Sequence, residues 1–237
     1  LYEIKNKNEF MLELKSVSKK YIEGKSEHIV LNNLNLSVRK GEIVILFGKS
    51  GSGKSTLLNI ISGIDTPDNG NVLIGGTDIT KLDEKERTII RRNKIGFIFQ
   101  FFNLIPTLTV KENLLLPLEL SEIKDEGEKI NSILNELELL ARSNTYPDKL
   151  SGGEQQRIAI ARALIHDPDI ILADEPTGNL DYETSLQIID LLDRIVKKKG
   201  KTMIMVTHSR DVIGLADRIF SLREGGLNDM KKESLFE

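Results

Sequence analysis

GKSGSGKST, residues Gly48–Thr56, is the stretch on which the fold turns. The apolar run IVILF (Ile43–Phe47) precedes it and LLNIISG (Leu57–Gly63) follows it. A glycine-rich break between a β-like run and a helix-compatible one is either an ordinary turn or a cradle for phosphate. The spacing favours the cradle, because Gly48, four residues, and then Gly53-Lys54-Ser55 fit G-x-x-x-x-G-K-[ST]. Glycines let the backbone wrap so that successive N–H groups face inward as an anion nest. The helix behind the loop presents its positive end to the same anion. Lys54 is then placed to reach the β- and γ-phosphates of a nucleotide, and the Ser55 hydroxyl to take one Mg²⁺ position. The candidate nucleotide-binding set from this loop is Gly48, Lys49, Ser50, Gly51, Ser52, Gly53, Lys54, Ser55 and Thr56.

The rest of the chain suits such a loop. Its 237 residues are enough for one large α/β domain with a sizeable core, and 39% of them are apolar. A net charge of −3 argues against a protein that coats nucleic acid. With no cysteine there are no disulfides and no thiolate metal sites. No uncharged apolar run approaches the roughly 18 residues needed to cross a bilayer. LYEIKNKNEF at the start lacks the basic-then-apolar order of a secretory signal, so a soluble cytosolic protein is the expectation.

Short β-branched runs alternate with longer helical patterns. Strands are expected at Met11–Lys15, Leu34–Val38, Ile43–Phe47, Asn71–Gly75, Ile95–Phe99, Ile170–Leu172, Met203–Val206 and Arg218–Leu222. Helices are expected at Lys54–Ser62, Asp83–Arg92, Asp125–Leu140, Gly153–Ile165, Tyr182–Lys198 and Asp211–Leu215. IVILF, IIL and MIMV do not alternate, which marks strands covered on both faces of a parallel sheet. The early strands are more hairpin-like. Between Gln100 and Ile165 no strand pattern stands out, which suggests a helical insert. From Glu224 the tail EGGLNDMKKESLFE turns polar after Gly-Gly and is expected to fray.

A phosphate loop needs carboxylates on its metal side. In DIILADEPTGNLD (Asp169–Asp181) an apolar strand ends in Asp174-Glu175, and two adjacent carboxylates there repel unless a cation shares the site. Asp174 suits a Mg²⁺ shell, and Glu175 suits polarisation of a water aimed at the γ-phosphate. The bland account is a strand followed by a solvated, capped turn. In LSGGEQQRIAIARAL (Leu150–Leu164), Ser151-Gly152-Gly153 opens a helix with a hydroxyl cap and bare N–H groups, either a second anion site or an ordinary N-capped helix. A kinase or small GTPase has no use for a second such site.

Together these stretches resemble the nucleotide-binding subunit of ABC transporters, over about Met11 to Met230. GKSGSGKST is similar to that family's Walker A loop, IILADEP to its Walker B strand and LSGGEQQR to its signature. Gln100 falls where the family has its Q-loop glutamine, Asn179-Leu180-Asp181 resembles the D-loop, and His208 matches the switch histidine. Ser209 stands where the family usually has Asp. Tyr21, in KKYIEG, falls where many members stack an aromatic on adenine, although a surface tyrosine on an early hairpin is a serious alternative.

The resemblance implies an α/β P-loop NTPase (RecA-like) core with a mainly parallel sheet, an N-terminal antiparallel β subdomain and an inserted helical subdomain. It implies an ATPase domain over residues 11–231, with the insert at about 101–165, an N-terminal extension at 1–10 and a tail at 232–237. It further implies that two copies pair head to tail around ATP and Mg²⁺. Ser151, Gly152 and Gly153 of one copy, with Asp181, then meet the phosphates held at Lys54 of the other. Glu175 becomes the general base, His208 a bridge to the γ-phosphate, and Ser55, Asp174 and Gln100 the metal side. Gln100 also reports to a separate transmembrane permease. Nucleic acid is not an expected partner, and the place implied is the cytoplasmic face of the cell membrane.

GIDTPDNGNVLIGGTDI, FQFFNLIPTLTVKENLLLPL and ADEPTGNLD are most similar to the lipoprotein-release and macrolide-efflux class. Two functions follow from that likeness. One is a transport motor for export or membrane extraction of a lipid, lipoprotein, drug or peptide. The other is a mechanotransmitter that controls an outside enzyme through a membrane partner, with nothing transported. A DNA-repair ATPase of this family is disfavoured because no long coiled coil separates Walker A from the signature. A translation-factor member normally has two cassettes, and this chain has one.

Overall fold

The computed structural model describes residues 9–24 and 26–231. Residues 1–8 of the expected N-terminal extension and the whole 232–237 tail lie outside the described residues. The strands are β1 (Phe10–Glu23), β2 (Ser26–Arg39), β3 (Ile43–Phe47), β4 (Asn69–Ile74), β5 (Thr77–Asp78), β6 (Ile95–Ile98), β7 (Ile170–Asp174), β8 (Thr202–Thr207), β9 (Arg218–Arg223) and β10 (Gly226–Met230). The α-helices are α1 (Lys54–Ile61), α2 (Glu84–Lys94), α3 (Val110–Leu120), α4 (Glu126–Glu136), α5 (Gly152–Leu164) and α6 (Tyr182–Lys198).

β1 and β2 form a long antiparallel hairpin, and β4 pairs antiparallel on the other side of β1, giving the sheet order β2-β1-β4-β5. Alternation drives it: Leu12, Leu14, Leu34, Leu36 and Val38 are buried, with polar residues between them facing out. The sequence signal stops at Lys15 because Ser16 takes a left-handed φ of 54° and the pairing shifts register between Leu14 and Val17. Alternation fails there while the strand continues.

The second sheet runs β10-β9-β3-β8-β7-β6. β9, β3, β8, β7 and β6 are parallel to their neighbours, and only β10 pairs antiparallel. The expected mainly parallel α/β architecture with an antiparallel N-terminal sheet is therefore what the chain adopts. Period-two alternation sorts each central strand between two cores. Ile43, Ile45, Ile171, Ala173, Met203 and Met205 face the core built with α3, α4, α5 and α6. Val44, Leu46, Ile170, Leu172, Ile204 and Val206 face the core built with α1 and the first sheet. Both faces are covered, so these strands carry no polar side.

Four local expectations are corrected. The tail after Glu224 does not fray at once: Glu224 and Gly225 turn at φ 49° and 74°, and β10 returns along β9 from Gly226 to Met230. Asn32 N–H also donates to Gly225 O at 2.8 Å, so the turn is tied to β2. Helix α3 was not expected, since Pro117 interrupts its pattern, yet Thr109 and Glu112 cap it reciprocally. Helix α4 stops at Glu136 rather than Leu140, because Glu138 is left-handed at φ 60°. Asp211–Leu215 winds as a 3₁₀ segment.

Candidate functional site

Parallel strands end at one edge of a sheet, and the loops leaving them converge there. β3, β8, β7 and β6 are consecutive neighbours. Their ends deliver the glycine loop, His208, Asp174-Glu175 and Gln100 respectively. A cleft of about 480 Å³ at this edge is lined by Lys49, Ser50, Gly51, Lys54, Ser55, Gln100, Asp174, Glu175 and His208. All nine were singled out from sequence.

The loop has the shape that its composition demands. Gly51 and Gly53 are left-handed at φ 77° and 93°, and a Cβ on Gly53 would lie 2.7 Å from the Val30 methyl. Gly53 caps α1 without a side-chain bond, so the opening N–H groups of that helix receive no capping side chain. Ser52 Oγ is buried and has no hydrogen-bond partner among the described residues. Lys54, only 8% exposed, donates to Gly48 O at 2.7 Å and Lys49 O at 3.1 Å. Its Nζ lies 3.6 Å from Glu175 Oε1. Unused N–H groups, an orphaned hydroxyl and a buried ammonium fit a bound phosphate chain. Thr56 is half-buried in the first turn of α1 and does not line the cleft.

Facing the loop, Ser55 Oγ donates to Asp174 Oδ2 at 2.9 Å. Burial pushes the Asp174 carboxyl above the usual carboxylate range and the charge of Glu175 adds to this, while the Ser55 bond and Lys54 oppose it. A hydroxyl beside a carboxylate that is short of positive charge is a donor set suited to a hard divalent cation such as Mg²⁺. Glu175 is 7% exposed and left-handed at φ 45°, a conformation that costs a bulky residue of order 1–3 kcal/mol. Its own N–H donates to Val206 O at 2.9 Å. Its Oε2 accepts the His208 backbone N–H at 3.2 Å and lies 3.0 Å from His208 Nδ1.

Gln100 sits at the cleft wall, and its carbonyl accepts Asn179 Nδ2 at 2.6 Å. That bond ties the segment after β6 to the turn after β7. Arg162, on α5, donates to Phe102 O at 2.9 Å and to Asn103 O, both in the loop beyond Gln100. Sequence reasoning missed Arg162. Its only signal is a lone arginine among alanines and isoleucines near the end of an otherwise buried helix face.

Four other expected residues are elsewhere. Ser151 caps α5 through a reciprocal pair: Glu154 N–H donates to Ser151 Oγ at 3.2 Å, and Ser151 N–H to Glu154 Oε2 at 2.8 Å. Ser151 and Gly152 are exposed and do not line the cleft. Gly153 is buried where a Cβ would meet the Thr184 methyl at 2.7 Å. Asp181 caps α6, accepting Thr184 N–H at 2.9 Å and Thr184 Oγ1 at 2.6 Å, and these bonds lower its pKa.

Tyr21 also lies outside the cleft. It is 41% exposed and donates to Asp65 Oδ2 at 3.0 Å. Lys19 donates to Asp65 Oδ1 at 2.7 Å with its ammonium 5.4 Å from the Tyr21 ring centroid.

Comparison with known proteins identifies the family. The family model described as ABC transporter matches residues 31–178. An uncharacterized ABC transporter ATP-binding protein of Mycobacterium tuberculosis is 48% identical over 92% of this chain and 88% of its own length. The lipoprotein-releasing system ATP-binding protein LolD of Legionella pneumophila is 40% identical over 93% of this chain and 98% of its own. Among solved structures, the Methanocaldococcus jannaschii ATP-binding cassette MJ0796, as a post-hydrolysis dimer bound to ADP and Pi, superposes with a TM-score of 0.86. It shares 44% identity over 94% of this chain and 99% of that one.

Proposed function

This chain belongs to the ABC transporter family as an ATP-binding subunit with ATPase activity, its relatives including proteins of the lipoprotein-release and macrolide-efflux class, and from that premise we propose how its residues work and what they drive. One observation carries the reading. Ser151 and Gly152 form an exposed helix cap that does not line the cleft of Lys54, Ser55 and Glu175. A second copy brings its own cap to that cleft, as the dimeric state of MJ0796 supports. ATP then sits between the glycine loop of one protomer and Ser151 to Gly153 of its partner, with Asp181 beside them. Closure on ATP and reopening after hydrolysis is the working stroke.

Within the cleft, Lys54 leaves the Gly48 and Lys49 carbonyls for the phosphate chain, and the loop N–H groups take phosphate oxygens. Glu175 accepts the proton of the attacking water, and His208, held to the same carboxylate, turns its imidazole to the γ-phosphate. Ser55, Asp174 and Gln100 would hold Mg²⁺, which when bound offsets the charge gathering on the β- and γ-phosphates. Tyr21, with its hydroxyl tethered to Asp65, offers its ring to adenine from outside the cleft.

Residues 11–231 act as one ATPase unit, and the segment at about 101–165 meets a separate transmembrane permease near Gln100. The exposed Phe101 and Ile105 beside it suit such a contact. Among the described residues no helix is long and apolar enough to cross a membrane. From the likeness to the LolD subunit we infer work at the cytoplasmic face, driving export or membrane extraction of a lipid, lipoprotein, drug or peptide.

Glu175→Gln is the deciding variant. We expect ATP binding to persist, hydrolysis to fall about 10²- to 10⁴-fold, and an ATP-dependent dimer to accumulate in light scattering. Unchanged turnover would remove Glu175 from the role of base.

A further inference from the structure

An exposed aromatic ring on a hairpin is ordinarily free to turn, but Tyr21 is pinned. Its hydroxyl donates to Asp65 Oδ2 at 3.0 Å. The other carboxylate oxygen accepts Lys19 Nζ at 2.7 Å, and Lys19 also donates to Thr66 O at 2.8 Å. The Lys19 side chain is 11% exposed, and its ammonium sits over the Tyr21 ring, 5.4 Å from the centroid. Burial raises the Asp65 pKa, but the bonds from Lys19, the Thr66 N–H and Tyr21 outweigh it and hold the carboxyl below its ordinary range. Asp65 is therefore a charged acceptor at neutral pH, shared between an ammonium and a phenol.

This post is braced against the helix of the glycine loop. Asp65 N–H donates to Asn59 O at 3.1 Å, within α1, the helix that opens with Lys54 and Ser55. Asp68 accepts the Lys20 N–H at 2.7 Å and donates its own N–H to Ser18 O at 2.9 Å, so the strand leading to Tyr21 is gripped as well. Tyr21 pairs with His28, two residues before the Val30 that abuts Gly53, so the hairpin carries the ring alongside the glycine loop. A ring ordered before its ligand arrives loses less freedom on binding. A cation over one face leaves the opposite face for stacking, and Tyr21 keeps 41% of its surface exposed.

We propose that Asp65 is a positioning residue for the base of the bound nucleotide: with Lys19 it fixes the Tyr21 ring, and adenine stacks on the face turned away from Lys19. The proposal rests on the reading of Tyr21 as the adenine contact and adds what sets the angle of its ring. Stacking uses the π-face of the base and not the phosphates, so the brace does nothing for a ligand without a base.

Isothermal titration calorimetry on the full chain compares Mg·ATP with inorganic tripolyphosphate, which can reach the glycine loop but has no base. Asp65→Ala should weaken ATP binding about three- to tenfold and leave tripolyphosphate affinity as it is. Asp65→Asn keeps one acceptor oxygen and should restore part of the loss. Beside Tyr21→Ala there is no ring to hold, so Asp65→Ala should cost nothing further. A thermal melt checks that each variant is folded at the assay temperature, and Asp65→Asn carries the test alone if Asp65→Ala is not.

Parent-like ATP affinity in the Asp65 variants, with Tyr21→Ala weakened, overturns the proposal. An equal loss for tripolyphosphate, or an Asp65→Ala loss undiminished beside Tyr21→Ala, overturns it too, since either marks a merely structural role. Unchanged ATP affinity in Tyr21→Ala instead removes the adenine reading itself, and the brace falls with it.

Discussion

Asp174 illustrates how a single residue is held at a disadvantage for the sake of a ligand. Its pKa is raised in the folded chain, chiefly by burial and further by Glu175. The folded state therefore binds its proton more tightly than the unfolded state does. The resulting cost is absent below the unfolded carboxylate pKa and is complete once pH has risen past the raised folded value. Asp174→Asn should raise the Tm of the nucleotide-free protein at pH 7.5 by about 1–3 °C, and this gain should shrink toward pH 4. With Mg²⁺ and ATP present the order should reverse, because the variant lacks the charge that the cation needs. Differential scanning fluorimetry at two pH values, with and without Mg·ATP, reads both effects. A variant no more stable than its parent at neutral pH contradicts the account.

At the scale of elements, α5 and α6 are capped by Ser151 and Asp181, and the two caps meet at Gly153 and Thr184. Ser151→Ala removes one half of a reciprocal cap and should cost about 1 kcal/mol of stability in urea unfolding. Gly153→Ala forces a methyl into the Thr184 methyl, so α5 must shift. We expect it to destabilise by about 1–3 kcal/mol, and Thr184→Ser in the same chain to recover part of the loss. Failure of Thr184→Ser to recover any of it would place the strain elsewhere.

The elements that sequence reading placed well are those governed by one neighbouring pattern. IVILF is a strand at its expected bounds, and Tyr182–Lys198 is a helix at its expected bounds. The elements it misjudged depend on distant or competing terms. Pro117 masks α3, whose first turn tolerates no doubt once the Thr109–Glu112 pair is noticed. β10 has little apolar signal of its own and is held by its ladder to β9.

For the whole molecule, the sheet order decides what the cleft contains. Nine cleft residues were readable because each sits at the end of a parallel strand, in the loop after it or in the first turn of the helix that follows, so proximity in space follows from local sequence. The anchoring of Tyr21 was not readable, since Asp65 lies far along the chain and only the fold of β1 over the end of α1 brings them together. Arg162 was hidden for the same reason. The β9–β10 hairpin closes one side of the main sheet, and deleting residues 226–237 should leave β9 as an open edge. A Tm loss of roughly 5 °C or more, with increased aggregation on light scattering, is the expected result. Unaltered melting would show that β10 is dispensable.

Glu175 and His208 follow directly on the neighbouring strands β7 and β8, and the Glu175 N–H is itself fastened to Val206, two residues before His208. Warming or mutation that lets the two sheets slip against each other therefore carries this pair along as a single piece. Such damage should show as a smaller fraction of competent molecules, with the turnover of each survivor unchanged.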